Sequence, residues 1–363
     1  MEDYTLSLPS YSIGENVYQK IGEICTPYGT KAVAIGGEKA INAAKDKILA
    51  AVKDTKIEIV DFVYYGGEAS YENVEMLTHN KAVQAADMIF AIGGGKALDT
   101  AKALGETIGK VVFAFPTIAS TCAGTTSVSI MYYPDGRFKK PFFLKKPPVH
   151  TFIDLFIIAH APTKYMWAGM GDTIAKHYES TVSSRGDELK HYHAMGVTLS
   201  RMCVEPIYKY GPAAMEANKT GMVNQSLEET VLAIIVTTGI CSIFLTMEGI
   251  IDYNTGLAHG VFYALTSYPN IENIEKNHLH GEVVGYGVLI LLLVDEQLEE
   301  FRRAFEFAKA VKLPIKLADL EISADELSSI VPKVLQMKDI DKNPYVITEE
   351  MLYEAFKILE EYK

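Results

Sequence analysis

The stretch Asp87-Met88-Ile89-Phe90-Ala91-Ile92-Gly93-Gly94-Gly95-Lys96-Ala97-Leu98-Asp99-Thr100-Ala101-Lys102-Ala103-Leu104 decides the fold. Asp87 to Ile92, apolar from Met88 onward, is a short run of the kind that becomes a buried strand, and Ala97 to Leu104 has the period of a helix. Three glycines and Lys96 join the two. Such a turn lets backbone N–H groups approach an anion at the positive end of the helix dipole. It is not the phosphate loop of nucleoside triphosphatases: Ala97 stands where Ser or Thr must follow the lysine, and Phe90 where the first glycine belongs. The G-x-G-x-x-G spacing is absent too. As a bare pattern the triplet fits a diphosphate cradle and a plain structural turn equally well.

The same punctuation recurs on both sides. Lys31 to Ile35 and Ile57 to Val63 read as strands separated by a helical pattern through Val52, and another helical pattern covers Val74 to Ala86. Downstream, Val111 to Phe115 is a strand, Ser127 to Phe152 a β-hairpin turning at Pro134-Asp135-Gly136, and Thr151 to Leu155 a further strand. Repeated strand–helix alternation predicts a parallel sheet covered by helices, with ligands beyond the carboxyl ends of the strands. From Pro162 onward the periods are mostly 3.6. With 363 residues the chain exceeds the reach of one core. Two domains are expected, an α/β domain over 1–161 and an α-helical domain over 162–363.

Composition narrows the partners. Lys+Arg number 34 against 46 Asp+Glu, a net charge of -12 with no basic stripe, which disfavours nucleic acid and anionic lipid. Cys25, Cys122, Cys203 and Cys241 lack C-x-x-C spacing, so neither a disulfide framework nor a zinc ribbon is expected. A cytoplasmic setting without a secretory signal fits this usage. Val231 to Met247 is apolar over about the length of a short membrane span but carries Thr237, Thr238, Gly239, Ser242 and Thr246, and it reads as a buried core helix. No membrane association is expected.

Two further groups carry chemistry. Pro116 to Ser127 sets Thr117, Ser120, Thr121 and Ser127 among small residues after a buried strand, suited to bonding a ribose, a phosphate or an amide, or to capping a helix. Asp172, in Gly169-Met170-Gly171-Asp172, reads as a residue at the start of a helix. His259 and His280 each lie in an apolar helical context. One carboxylate and two imidazoles make the three-ligand set of a catalytic zinc site, although spacing alone does not bring them together.

In combination, Gly93-Gly94-Gly95-Lys96-x-x-Asp99-x-x-Lys102, Pro116-Thr117-Ile118-Ala119-Ser120-Thr121, Gly171-Asp172, His259 and His280-Gly281 resemble the glycerol dehydrogenase branch of the iron-containing (group III) alcohol dehydrogenases. The resemblance spans nearly the whole chain. It implies a dehydroquinate synthase-like fold: a Rossmann-like α/β nucleotide-binding domain followed by an all-α domain, with NAD or NADP and one divalent metal. By the same resemblance Gly93, Gly94, Gly95 and Lys96 would hold the dinucleotide pyrophosphate, and Asp99 would lie near the nicotinamide end. Thr117, Ser120 and Thr121 would contact the cofactor, with Ser127 at the end of the same loop a further candidate, and Asp172, His259 and His280 would hold the metal. Lys176 stands where iron-dependent members place another His, which favours zinc over iron.

Two departures bear on specificity. Glycerol dehydrogenases usually read Ser-Thr-Asp where this chain reads Ser120-Thr121-Cys122, so by the resemblance Cys122 would replace a carboxylate of the substrate pocket. At Gly36-Gly37-Glu38-Lys39, Gly37 and Glu38 occupy the place of an Asp that bonds the adenosine ribose; either Glu38 substitutes for it or the Gly pair with Lys39 admits a 2′-phosphate. The expected protein is a homo-oligomeric oxidoreductase acting on a small molecule. It would interconvert a small secondary alcohol, diol or polyol with its ketone. The alternatives are a 2-hydroxy acid dehydrogenase and, further off, a sugar-phosphate cyclising synthase on the same fold.

Overall fold

A computed structural model describes residues 3–266 and 277–363. The chain forms two compact units, one of residues up to Pro162 together with Ala217–Glu228, the other of Thr163–Glu216 and Glu229–Lys363.

The first unit is built on β1 (Ser10–Gly14), β2 (Lys31–Gly36), β3 (Glu58–Tyr64), β4 (Met88–Gly93), β5 (Val111–Pro116) and β8 (His150–Asp154). They form one parallel sheet in the order β1-β8-β5-β4-β2-β3. The middle strands are continuous apolar runs because helices cover both faces, and every residue of β4 is buried. β6 (Val128–Tyr132) and β7 (Phe138–Phe143) pair antiparallel as the expected hairpin. After β2 the chain runs outward to β3, then returns to the other side of β2 for β4. The carboxyl ends of β2 and β4 therefore flank the point where the strand order reverses, the position where open α/β sheets bind ligands.

Three details differ from the sequence expectation. β1 has no apolar run to announce it. It is an edge strand, tied to β8 by its ladder and by His150, whose ring nitrogens stand 2.6 Å from Ser10 Oγ and 3.0 Å from Ser12 Oγ. The helical stretch through Ala86 is two short helices, Tyr71–Thr78 and Lys81–Ala85, because Asn80 caps the second by accepting from the Ala82 and Val83 N–H groups. The helix after the glycine triplet also runs further, over Gly95–Ile108, and stops at Gly109 with φ +70°.

The second unit is helical. Glycines set its central packing between the helices Thr163–Ser183, Leu257–Leu265 and His280–Val294. A Cβ on Gly171 would fall against the carbonyl oxygen of Gly281, one on Gly281 against the carbonyl oxygen of Ala168, and one on Gly287 against the carbonyl oxygen of Ala258. Backbones touch at these points. This also corrects the reading of Asp172, which is the tenth residue of a 21-residue helix rather than a helix start. Gly169 and Gly171 look like breakers in sequence, but tertiary contact at Gly171 outweighs their poor propensity.

The helix Gln225–Leu245 is long and apolar enough to cross a membrane, yet most of its apolar window is buried inside the protein. It is α-helical at both ends, with a π-helical stretch at Leu232–Thr237.

Adding one methyl at the Gly171 crossing forces two helices apart, at a cost near the top of the ~1–3 kcal/mol range for overpacking, while alanine's better helix propensity returns about 1 kcal/mol. Gly171→Ala is expected to lower the stability of the metal-free protein by about 2 kcal/mol, read from urea unfolding. Unchanged stability would show that the backbones do not touch there.

Candidate metal and dinucleotide sites

Asp172 lies mid-way along the Thr163–Ser183 helix, His259 is the third residue of the Leu257–Leu265 helix, and His280 opens the His280–Val294 helix. The three converge. Asp172 Oδ1 stands 3.6 Å from His259 Nε2 and 3.5 Å from His280 Nε2, and the three candidate donor atoms all lie within 4.8 Å of one another. Donors bound tetrahedrally to one ion at about 2.0–2.2 Å stand about 3.4 Å apart. The set therefore fits a divalent metal, with one coordination position left over. It is the one such cluster among the described residues.

Electrostatics agree with this geometry. Burial alone would raise the Asp172 carboxyl, but the His280 hydrogen bond, both imidazoles and Lys176 outweigh it and hold the group at about 2. Burial pulls the His259 ring down; Glu179 and then Asp172 reverse that, so its net shift is upward. His280 is the most open of the three, with 36% of its side chain exposed, and packs edge-on against Phe262.

Glu179 escaped the sequence reading. It lies two helical turns beyond Asp172, is fully buried, and its Oε2 is 2.8 Å from His259 Nδ1. Its Oε1 accepts from the Gly256 and His259 N–H groups at 2.8 and 2.9 Å. Only the i, i+7 spacing from Asp172 could have flagged it. Lys176, between the two, donates to the carbonyl oxygen and Oδ1 of Asn254 at 2.5 and 2.8 Å.

The dinucleotide candidates gather at the carboxyl ends of adjacent strands in the first unit. Gly36 pairs with Ile92 and Gly93 with Pro116, so the Gly36-Gly37-Glu38 turn, the glycine triplet and the loop after β5 are neighbours. Gly93 has φ +143°, which a side chain would strain, and its carbonyl oxygen accepts from the Thr117 N–H at 3.1 Å. Gly94 caps the Gly95–Ile108 helix, and Gly37 caps the helix Glu38–Val52, where Glu38 is exposed in the first turn. Ser120, Thr121, Cys122 and Ser127 are half-buried, and Thr125 Oγ1 donates to the Cys122 carbonyl oxygen.

Two of the expected contacts are committed inside the unit. Lys96 Nζ pairs with Glu68 Oε2 at 2.7 Å. Asp99 is buried, pairs with Lys102 Nζ at 2.9 Å and accepts from the Ile130 N–H at 3.1 Å. Burial pushes its carboxyl up, with Lys102 opposing. It thus ties the glycine-led helix to the hairpin.

Residues 9–154 match the family model of iron-containing alcohol dehydrogenases. The chain is 31% identical over 323 residues to a glycerol dehydrogenase of Thermotoga maritima, covering 85% of this chain and 83% of that protein. It is 30% identical over 347 residues to hydroxycarboxylate dehydrogenase A of Escherichia coli, covering 92% and 90%. The crystal structure of glycerol dehydrogenase from Schizosaccharomyces pombe has the same fold, with a TM-score of 0.85 at 24% identity, covering 100% of this chain and 91% of that one.

A Cβ on Gly94 would lie 2.5 Å from Ile118 Cδ1, so a side chain there displaces the Ile118 side chain as well as filling the approach to the backbone amides. Gly94→Val is expected to weaken NADH binding by tenfold or more, about 1.4 kcal/mol, in a fluorescence titration, with metal content unchanged. Native affinity in the folded variant would reduce the triplet to a turn.

Proposed function

The chain belongs to the iron-containing alcohol dehydrogenase family, and from that premise we propose that it is a metal-dependent NAD oxidoreductase interconverting a small secondary alcohol, diol or polyol with its ketone. The observation that carries this reading is the convergence of Asp172, His259 and His280 on one point. A divalent ion bound there supplies Lewis-acid polarisation of the substrate's hydroxyl or carbonyl oxygen. The chain's own residues do the rest. Asp172 stays ionised at any working pH and brings the negative charge that a cation needs. His259 and His280 turn Nε2 toward that carboxylate. In the first unit, the Gly95–Ile108 helix offers backbone N–H groups and its positive end to a diphosphate.

Zinc is proposed over iron because Lys176, a cation bonded to Asn254, occupies the place of a further ligand and leaves three donors. NAD is proposed over NADP on Glu38: a carboxylate at the strand-reversal point accepts from a ribose diol and repels a 2′-phosphate. The relatives reported above are dehydrogenases, which leaves the cyclising synthase without support.

This reading is tested by elemental analysis together with oxidation of NADH and NADPH against a panel of small ketones and 2-oxo acids. About one divalent metal per chain is expected, and His259→Ala or His280→Ala should lose both metal and turnover. Full activity of the metal-free protein would reject it.

Cys122 favours a second substrate class, the 2-hydroxy acids. A carboxylate at this position accepts hydrogen bonds from the extra hydroxyls of a polyol but repels an anionic substrate, whereas a neutral thiol accepts only weakly and does not repel. Losing a bond to a charged group weakens glycerol by about 1.5–3 kcal/mol. The natural protein is expected to oxidise glycerol poorly and to act on 2-oxo or 2-hydroxy acids or uncharged ketones, and Cys122→Asp should shift kcat/KM toward glycerol. Efficient glycerol oxidation with an unchanged ratio in the variant would sink this assignment.

A further inference from the structure

Glu179 is a fully buried carboxylate that no cation approaches within ion-pairing distance among the described residues, apart from the imidazole of His259. Such a group is costly to bury unless all its oxygens are bonded. Its bonds are unevenly distributed in kind. Oε1 takes the two backbone N–H groups at the start of the Leu257–Leu265 helix, while Oε2 takes only the His259 ring, at 2.8 Å from Nδ1. The space for it comes from Gly256, on which a Cβ would lie 3.2 Å from Glu179 Cγ and 3.3 Å from its Cβ. One side chain thus grips both the backbone and the ring of the same residue.

We infer that Glu179 is a positioning residue that holds His259 as the Nδ1–H tautomer, so that the Nε2 lone pair faces Asp172 and the metal. An ionised carboxylate only accepts hydrogen bonds, so the ring nitrogen facing it must carry a proton. In a neutral imidazole the other nitrogen is then an acceptor and can ligate. The inference rests on the metal-site reading above and adds the group that makes His259 a competent donor within it.

Glu179→Gln separates this role from a merely structural one. Glutamine Oε1 can still accept both backbone N–H groups, so the helix cap survives. Its Nε2 donates and offers nothing to a ring N–H, so His259 would turn to the Nε2–H tautomer, which presents a proton to the metal. The experiment measures zinc affinity by competition with a chromophoric chelator, and the His259 tautomer by 15N NMR of histidine-labelled metal-free protein at a pH where the ring is neutral. His259→Ala identifies the resonance.

The expected result is a variant as thermally stable as the metal-free natural protein, binding zinc about 10- to 100-fold more weakly and carrying its ring proton on Nε2. Native zinc affinity, or a ring still protonated on Nδ1, overturns the inference. His259→Ala distinguishes the two levels: if it retains zinc, the metal-site reading itself fails, whereas loss of zinc there with native affinity in Glu179→Gln removes only the role of Glu179. Should Glu179→Gln not fold, Gly256→Ala crowds the Cβ and Cγ of the same side chain and so shifts its carboxylate without removing it. A severalfold loss of zinc affinity in that variant supports the inference, and native affinity overturns it.

Discussion

The contact of backbone on backbone between the Thr163–Ser183 and His280–Val294 helices governs the second unit. At Gly171, Gly281 and Gly285 no side chain separates the two, and a Cβ on Gly285 would lie 3.2 Å from the Cα of Gly171. Asp172 and His280 are the immediate neighbours of Gly171 and Gly281. Bringing the helix axes together at the glycines therefore brings the carboxylate to the imidazole, and a bulkier pair would widen a 3.5 Å approach beyond the reach of one ion. Gly287 does the same on the next turn toward Ala258, the residue before His259. Each of the three candidate ligands sits beside a close-packed position, so their convergence follows from helix packing rather than from any loop.

Glycine serves a different end in the first unit. Gly93 adopts φ +143°, a conformation closed to most side chains, and this turn starts the Gly95–Ile108 helix at the carboxyl end of β4. Close approach matters there too, since a Cβ on Gly36 would meet the carbonyl oxygen of Ile92 on the neighbouring strand. One residue type thus shapes a strand-to-helix turn in one unit and closes helix on helix in the other.

That double use explains what the sequence revealed and what it concealed. The parallel sheet was legible because its middle strands are unbroken apolar runs between clear turn signals, as at Met88 to Gly93. β1 was not, because an edge strand reading Ser-Tyr-Ser-Ile-Gly has no apolar face to display. The ligand types Asp172, His259 and His280 could be picked out, but their convergence depends on helix crossings that leave no local pattern. Gly169 and Gly171 misled outright, since a glycine that ends a helix and one that admits a neighbouring helix look alike in one dimension. Glu179 was silent for a related reason: an acidic residue on an amphipathic helix reads as a solvated one until its burial is known.

Placing two candidate imidazole ligands in the first turns of helices raises an electrostatic difficulty for the proposed metal site. The start of a helix carries about half a positive charge, which opposes a cation held close by. His259 and His280 both occupy such positions. The fold answers with carboxylates set at the same two helix ends. Glu179 accepts the leading amides of the Leu257–Leu265 helix, and Glu282 Oε2 accepts from the Leu279 N–H at the start of the His280–Val294 helix at 2.9 Å. Asp172 adds a third negative charge, ionised throughout the working range. Lys176 is near enough to help hold Asp172 ionised, and its ammonium donates to the carbonyl and side-chain oxygens of Asn254. With both helix starts met by carboxylates and Asp172 held ionised, the balance of charge where the donors meet suits a divalent cation.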